Sequence, residues 1–141
     1  MTQPCSVEQA FRAIWAADSY LISVIPIDKV YPYEVTYNDA SLNYVVIRNL
    51  GSAGEIRDDT GFLTTELYQL IAYVREANDL NGLTNAIREV YNRFEIATDM
   101  GHICSGRVGR LQRTRRDSGV RVLTVNITVR LAYQAPRVIA Y

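Results

Sequence analysis

From Leu123 onward the odd positions Leu123, Val125, Ile127, Val129, Leu131 and Tyr133 are apolar, and Thr124, Asn126, Thr128 and Arg130 stand between them. A period of two over that length predicts a long antiparallel strand with one face buried. The less apolar stretch Arg107 to Arg115 precedes it, joined through Arg116-Asp117-Ser118-Gly119, and this turn chemistry predicts a C-terminal β-hairpin. A second alternation occurs in VYPYEVTY, where Tyr31, Tyr33, Val35 and Tyr37 are separated by Pro32, Glu34 and Thr36. Pro32 lacks a backbone donor, so this strand starts there or lies at an edge. Asn38-Asp39-Ala40-Ser41 then reads as a turn and LNYVVIRNL as the returning strand of a hairpin.

Two segments carry the helical period instead. Ser6-Val7-Glu8-Gln9 has the form of a capping box, with Ser6 as N-cap, and Val7, Ala10, Phe11, Ile14 and Trp15 follow at three- and four-residue spacing. Asp18-Ser19 weakens that helix and Pro26 bars its continuation; Trp15 belongs to the core. Further on, Asn78-Asp79 offers cap residues, and Leu80, Leu83, Ile87, Val90, Tyr91 and Phe94 form a second stripe.

Between these, TTELYQLIAYVR fits either period, and its β-branched and aromatic content favours a strand. Residues 51–62, GSAGEIRDDTGF, hold three glycines and three acids with no apolar period, which predicts a mobile loop. The order that results is α-β-β-β-α-β-β. It predicts one α+β domain over residues 1–141: an antiparallel sheet with two helices packed on one face and a long C-terminal β-hairpin. In the tail, residues 135–141, Val138, Ile139 and Tyr141 follow Pro136 and either fray or dock on a neighbouring subunit.

Charge changes this picture more than composition does. The chain of 141 residues is neutral overall, with 48% hydrophobic and 21% charged residues. Residues 1–99 nevertheless hold seven basic and fourteen acidic side chains, whereas residues 100–141 hold eight arginines and one aspartate. Halves of −7 and +7 can pair with each other or with another copy. Six arginines, Arg107, Arg110, Arg113, Arg115, Arg116 and Arg121, crowd residues 106–122, so the predicted hairpin is an arginine-rich arm. Fourteen of the fifteen basic residues are arginine, the cation enriched at protein interfaces.

Candidate chemistry is sparse. Cys5 and Cys104 form no CxxC pair, and His102 is the single histidine, so zinc and catalytic His/Cys arrangements lack ligands. The glycines around Ser52 are followed by no GK[ST], and neither HExxH nor GxSxG occurs, which predicts no enzyme and no cofactor. No run reaches the roughly 18 apolar residues of a membrane span. The start, MTQPCSVEQAF, lacks the basic and apolar regions of a leader, and a cytosolic protein is expected. An arm gripping nucleic-acid phosphates remains the alternative to a protein interface.

The sequence S-V-E-x-A at the first helix, V-Y-P at the next strand, L-Y-Q-L-I-A-Y-V, D-L-N-G-L-T-N-A-I-R-E-V and the closing hairpin together resemble the tail terminator (tail-completion) proteins of long-tailed bacteriophages. The resemblance spans nearly the whole chain. It implies a non-enzymatic virion protein, assembled in the host cytoplasm, that forms a ring, usually a hexamer, on the head-proximal end of the tail tube. Such a ring stops tube polymerisation and joins the neck connector, with DNA passing through its lumen. Its partners would be copies of itself, the tail tube protein and a head–tail connector protein. A related neck component, such as a head–tail stopper, is the neighbouring alternative. Within that frame Arg113, Arg115 and Arg116 are expected to contact acids such as Asp58 and Asp59 on a neighbour or an adjoining ring.

Overall fold

A computed structural model describes residues 6–32, 43–58, 61–92, 94–97, 102–115 and 119–134. The first helix, α1, spans Val7–Ala17. Ser6 caps it as expected, its hydroxyl accepting from the Gln9 amide at 3.2 Å. Val7, Ala10, Phe11 and Trp15 form the buried stripe. Asp18 ends this helix and at once starts another, because its carboxylate accepts from the amides of Tyr20 and Leu21 at 3.0 and 2.9 Å. The short helix α2, Ser19–Val24, is thus an addition to the two expected. The Trp15 indole donates to the Ile25 carbonyl at 2.9 Å and folds α2 back on α1.

Beyond Pro26 a 3-10 turn, Ile27–Lys29, leads into β1, Val30–Tyr31. Here the expected hairpin is corrected: β1 pairs with β2, Tyr44–Asp58, in parallel, with Val30 opposite Val45. A parallel pair requires the intervening chain to cross back rather than turn tightly. The predicted strand residues Tyr33 to Tyr37 and the turn at 38–41 lie outside the described residues.

The loop expected at 51–62 is also corrected. β2 continues through Asp58 and pairs antiparallel with β3, Gly61–Val74, as far as Asp58 opposite Gly61. Two register shifts, between Asn49 and Gly51 and between Ser52 and Gly54, erase the period of two that would have marked a strand. The first is held by the Asn49 side chain, which accepts from the Gly51 amide at 2.7 Å, and Gly51 adopts φ +112°. Only glycine takes that backbone angle without strain.

The helix α3, Ala77–Tyr91, starts after Glu76, so Asn78 and Asp79 sit in its first turn rather than capping it. Leu80, Leu83, Thr84, Ile87 and Tyr91 are buried along it. Phe94 is not its last stripe residue, because the chain leaves the helix at Asn92 and Phe94–Ala97 form β4. The Phe94 ring lies over Gly106, where an added Cβ would fall 2.2 Å from a ring carbon. β5, His102–Arg115, and β6, Arg121–Gln134, are the predicted hairpin.

Among the described residues the six strands are ordered β1-β2-β3-β6-β5-β4. The apolar odd positions Leu123 to Leu131 of β6, with Tyr68, Leu70 and Ala72 of β3, face the three helices and form one core. At its centre Phe11 meets Tyr68, Tyr91 and Phe94 edge-to-face at 5.3, 5.6 and 5.6 Å. The expected α+β architecture, with the helices on one face, is therefore the observed one.

Tyr91 is fully buried, and its hydroxyl donates to the Phe11 carbonyl at 2.6 Å. Burial, and secondarily the Asp18 carboxylate, push its ionisation far above the ordinary tyrosine range. In the unfolded chain it ionises near pH 10, so its contribution is complete below that value and is lost as pH rises further. Tyr91→Phe is expected to cost about 1–1.5 kcal/mol in urea unfolding at neutral pH. The loss should narrow above about pH 10, where only the wild type must keep this phenol neutral.

Candidate interaction surface

The arginine stretch is a hairpin but not a projecting arm. β6 pairs with β3 along its whole length, from Gly61 opposite Gln134 to Val74 opposite Arg121. β5 lies on its other side, so Arg107 to Arg115 run along the body of the sheet. Arg116 and Asp117 lie outside the described residues, as do Asp59, Val138 and Ile139.

Strand alternation divides the arginines between the two faces. Arg113 stands opposite the core residue Leu123, and its guanidinium donates to the Asn81 side chain of α3 at 2.9 Å. Arg115 stands opposite Arg121 on that same face, and Arg121 donates to the Arg75 carbonyl. This end of the sheet therefore gathers Arg75, Arg113, Arg115 and Arg121 beside the start of α3. Two arginines directly opposite each other repel, a cost that an anionic partner would offset.

Arg107 stands opposite Thr128, on the other face. A register shift between Val108 and Leu111 leaves Arg110 beside the half-buried Leu111, and so turned to that same face. Arg130 belongs there too, as does Arg48, which stands opposite Gln69. All four are exposed. Between them the Gln69 amide donates to the Asn126 side-chain oxygen at 3.0 Å. Glu95, opposite Ser105, is an acid on this face. At the end near β1 the character changes: Tyr31, Tyr44 and Tyr73 form a half-buried aromatic row, with centroids at 6.3 and 4.5 Å. Arg48 and Arg130 escaped the sequence reading because only the strand register brings them beside Arg107 and Arg110; the even position of Arg130 in an alternating strand was the available signal.

Asp58 stands opposite Gly61, at the far end of β3 from Val74, which pairs with Arg121. A strand rise of about 3.3 Å per residue separates the two ends by roughly 43 Å. Within one chain Asp58 therefore lies at the opposite end of the sheet from Arg113 and Arg115. Among the described residues no cluster of three His, Cys, Asp or Glu side chains offers a metal site, and no helix is long and apolar enough to cross a membrane.

No protein-family model matches the chain, and no curated protein sequence matches it. Among solved structures it is similar to a chain described as "Virion of native gene transfer agent (GTA) particle", with a TM-score of 0.69 and 14% identity. The match covers 92% of this chain and 96% of that one. At that identity the likeness shows a shared fold.

The Arg115–Arg121 pair yields a direct test. Arg115→Glu places opposite charges across the ladder and is expected to stabilise the folded chain by about 0.2–1 kcal/mol at low salt. The gain should shrink when unfolding is repeated at about 1 M salt, where the screening length is about 3 Å.

Proposed function

We propose that the protein is a structural component of a phage-like virion, a tail terminator whose copies close into a ring, expected to be a hexamer, at the head-proximal end of the tail tube. The observation that carries this reading is the fold shared end to end with a chain of a gene transfer agent virion, 92% of one and 96% of the other. The sequence pattern of the tail terminators, read along nearly the whole chain, points the same way. In this role the ring halts tube growth and presents a surface to the neck connector, without catalysis or cofactor. The ends of the sheet support a contact between copies: Arg113 and Arg115 of one would approach Asp58 of another, since within one chain they lie at opposite ends.

A second reading, nucleic-acid binding, draws on the face carrying Arg48, Arg107, Arg110 and Arg130. The two readings meet if that face looks into the lumen, where it would touch passing DNA.

Mass measurement with negative-stain imaging of the purified protein tests the first. Six-fold rings or short tubes are expected; a strict monomer over a wide concentration range counts against it. In the double variant Arg113→Glu/Arg115→Glu, assembly should weaken at least about tenfold while the fold is kept. Duplex-DNA titration tests the second reading. Weak binding at about 50 mM salt that disappears by about 200 mM is expected, because only a few phosphates are neutralised. Binding that persists at the higher salt favours a dedicated nucleic-acid protein.

A further inference from the structure

Three arginines of one face converge where the sheet meets the start of α3. Arg115 stands directly opposite Arg121, and Arg113 lies two residues along β5 on the same face. Directly opposite side chains have Cβ atoms about 4.5–5.5 Å apart, and a two-residue step along a strand spans about 7 Å. Three guanidinium groups therefore rise from one small area. Arg75 adjoins it, following Val74, the register partner of Arg121.

No acid among the described residues neutralises this group. Arg113 donates to the Asn81 side-chain oxygen and Arg121 to the Arg75 carbonyl, both uncharged acceptors. Among the described residues no carboxylate pairs with Arg75, Arg113, Arg115 or Arg121. Counting the acids Glu76 and Asp79 at the start of α3 against the four arginines still leaves two positive charges in excess. The turn residues Arg116, Asp117 and Ser118 carry one charge of each sign, so their sequence leaves that excess unchanged.

The group also keeps the donors that a ligand needs. A guanidinium has five N–H donors in a planar fork, and the bonds to Asn81 and to the Arg75 carbonyl each use one. The same bonds tether Arg113 and Arg121, which reduces the freedom lost when a ligand is held. A single carboxylate would leave positive charge over. A phosphate monoester brings a charge of about −1.5 to −2 and three acceptor oxygens in one compact group. Duplex DNA spreads its charge at one per about 1.7 Å along its axis, which suits the broad opposite face better than this small patch.

We infer that Arg113, Arg115 and Arg121, with Arg75 beside them, form a binding site for a compact phosphate-type anion, either free or at the end of a nucleic-acid strand. The site shares Arg113 and Arg115 with the contact proposed for Asp58 but needs no second copy, so it is independent of the ring reading. Calorimetric titration of the full chain with pyrophosphate at about 50 mM salt tests it. Saturable binding is expected, weakened at least about tenfold in Arg115→Gln and in Arg121→Gln, because each removes a charge-assisted hydrogen bond. Arg88→Gln removes the same charge from an exposed position of α3 and should stay within about twofold of wild type. Urea unfolding guards against a lost fold: without ligand Arg115→Gln and Arg121→Gln should be at least as stable as wild type, since the repelling pair is relieved. A single strand with and without a 5′-phosphate separates the sources. Tighter binding of the phosphorylated strand points to a nucleic-acid end, and equal binding beside a pyrophosphate response points to a free anion. Equal losses in Arg88→Gln and Arg115→Gln overturn the inference, because general charge then suffices. Absence of pyrophosphate binding in both wild type and Asp58→Asn also overturns it, since in the variant no carboxylate at 58 of another copy can fill the site. A chain that binds pyrophosphate but never assembles removes the ring reading and leaves this site standing.

Discussion

The structure depends on the pairing of β3 with β6. These strands are about sixty residues apart in sequence, yet they run antiparallel for their full lengths, Gly61 opposite Gln134 through Val74 opposite Arg121. Such a non-local pairing forms only when its closure entropy is offset. The offset comes from one face, where Leu123 to Leu131 at odd positions and Tyr68 to Val74 at even ones meet the helices. Hairpin partners then add themselves by proximity, β2 beside β3 and β5 beside β6. A slip of one residue in this ladder would turn every core side chain outward.

Much of this order was readable in advance, for definite reasons. Leu123 to Leu131 alternate without interruption because β6 has a helix-covered core on one side only, and Ser6 announces α1 because its hydroxyl is the cap. What failed to show had equally physical causes. The register shifts at Asn49–Gly51 and Ser52–Gly54 broke the alternation of β2, so a strand had the composition of a loop. Phe94 fell at a helical interval after Tyr91 by coincidence, and only the break at Asn92 assigns it to β4. Asp18 read as weakening the first helix, but its side chain starts a second one where the first ends. For the candidate surface, the density of arginines was legible and its partition was not. A linear count cannot reveal that Arg107 and Arg110 face away from Arg113 and Arg115.

That partition recasts the electrostatics. The −7 and +7 halves of the chain do not fold into separate bodies, because β5 and β6 insert beside β3. The described arginines of β5 and β6, with Arg48 and Arg75, instead form two groups: one at the end of the sheet near α3, and one spread over the face opposite the helices. The first concentrates positive charge at one end of the sheet. The second offers a broad, weakly directional positive surface, which suits a polyanion sliding past better than one held in a fixed place.

Phe94 and Gly106 behave as one position shared by two residues. The ring that begins β4 occupies the volume that a side chain at 106 would fill, and it reaches through that space to Phe11 and Tyr91. As the sequence drifts, neither residue can change alone. Enlarging 106 evicts the ring and unseats the edge strand from the core, while shrinking 94 leaves a hole above a bare backbone. Variants that keep this corner of the fold must therefore trade the pair together, which makes it a coupled signature for tracing descent where overall identity has faded.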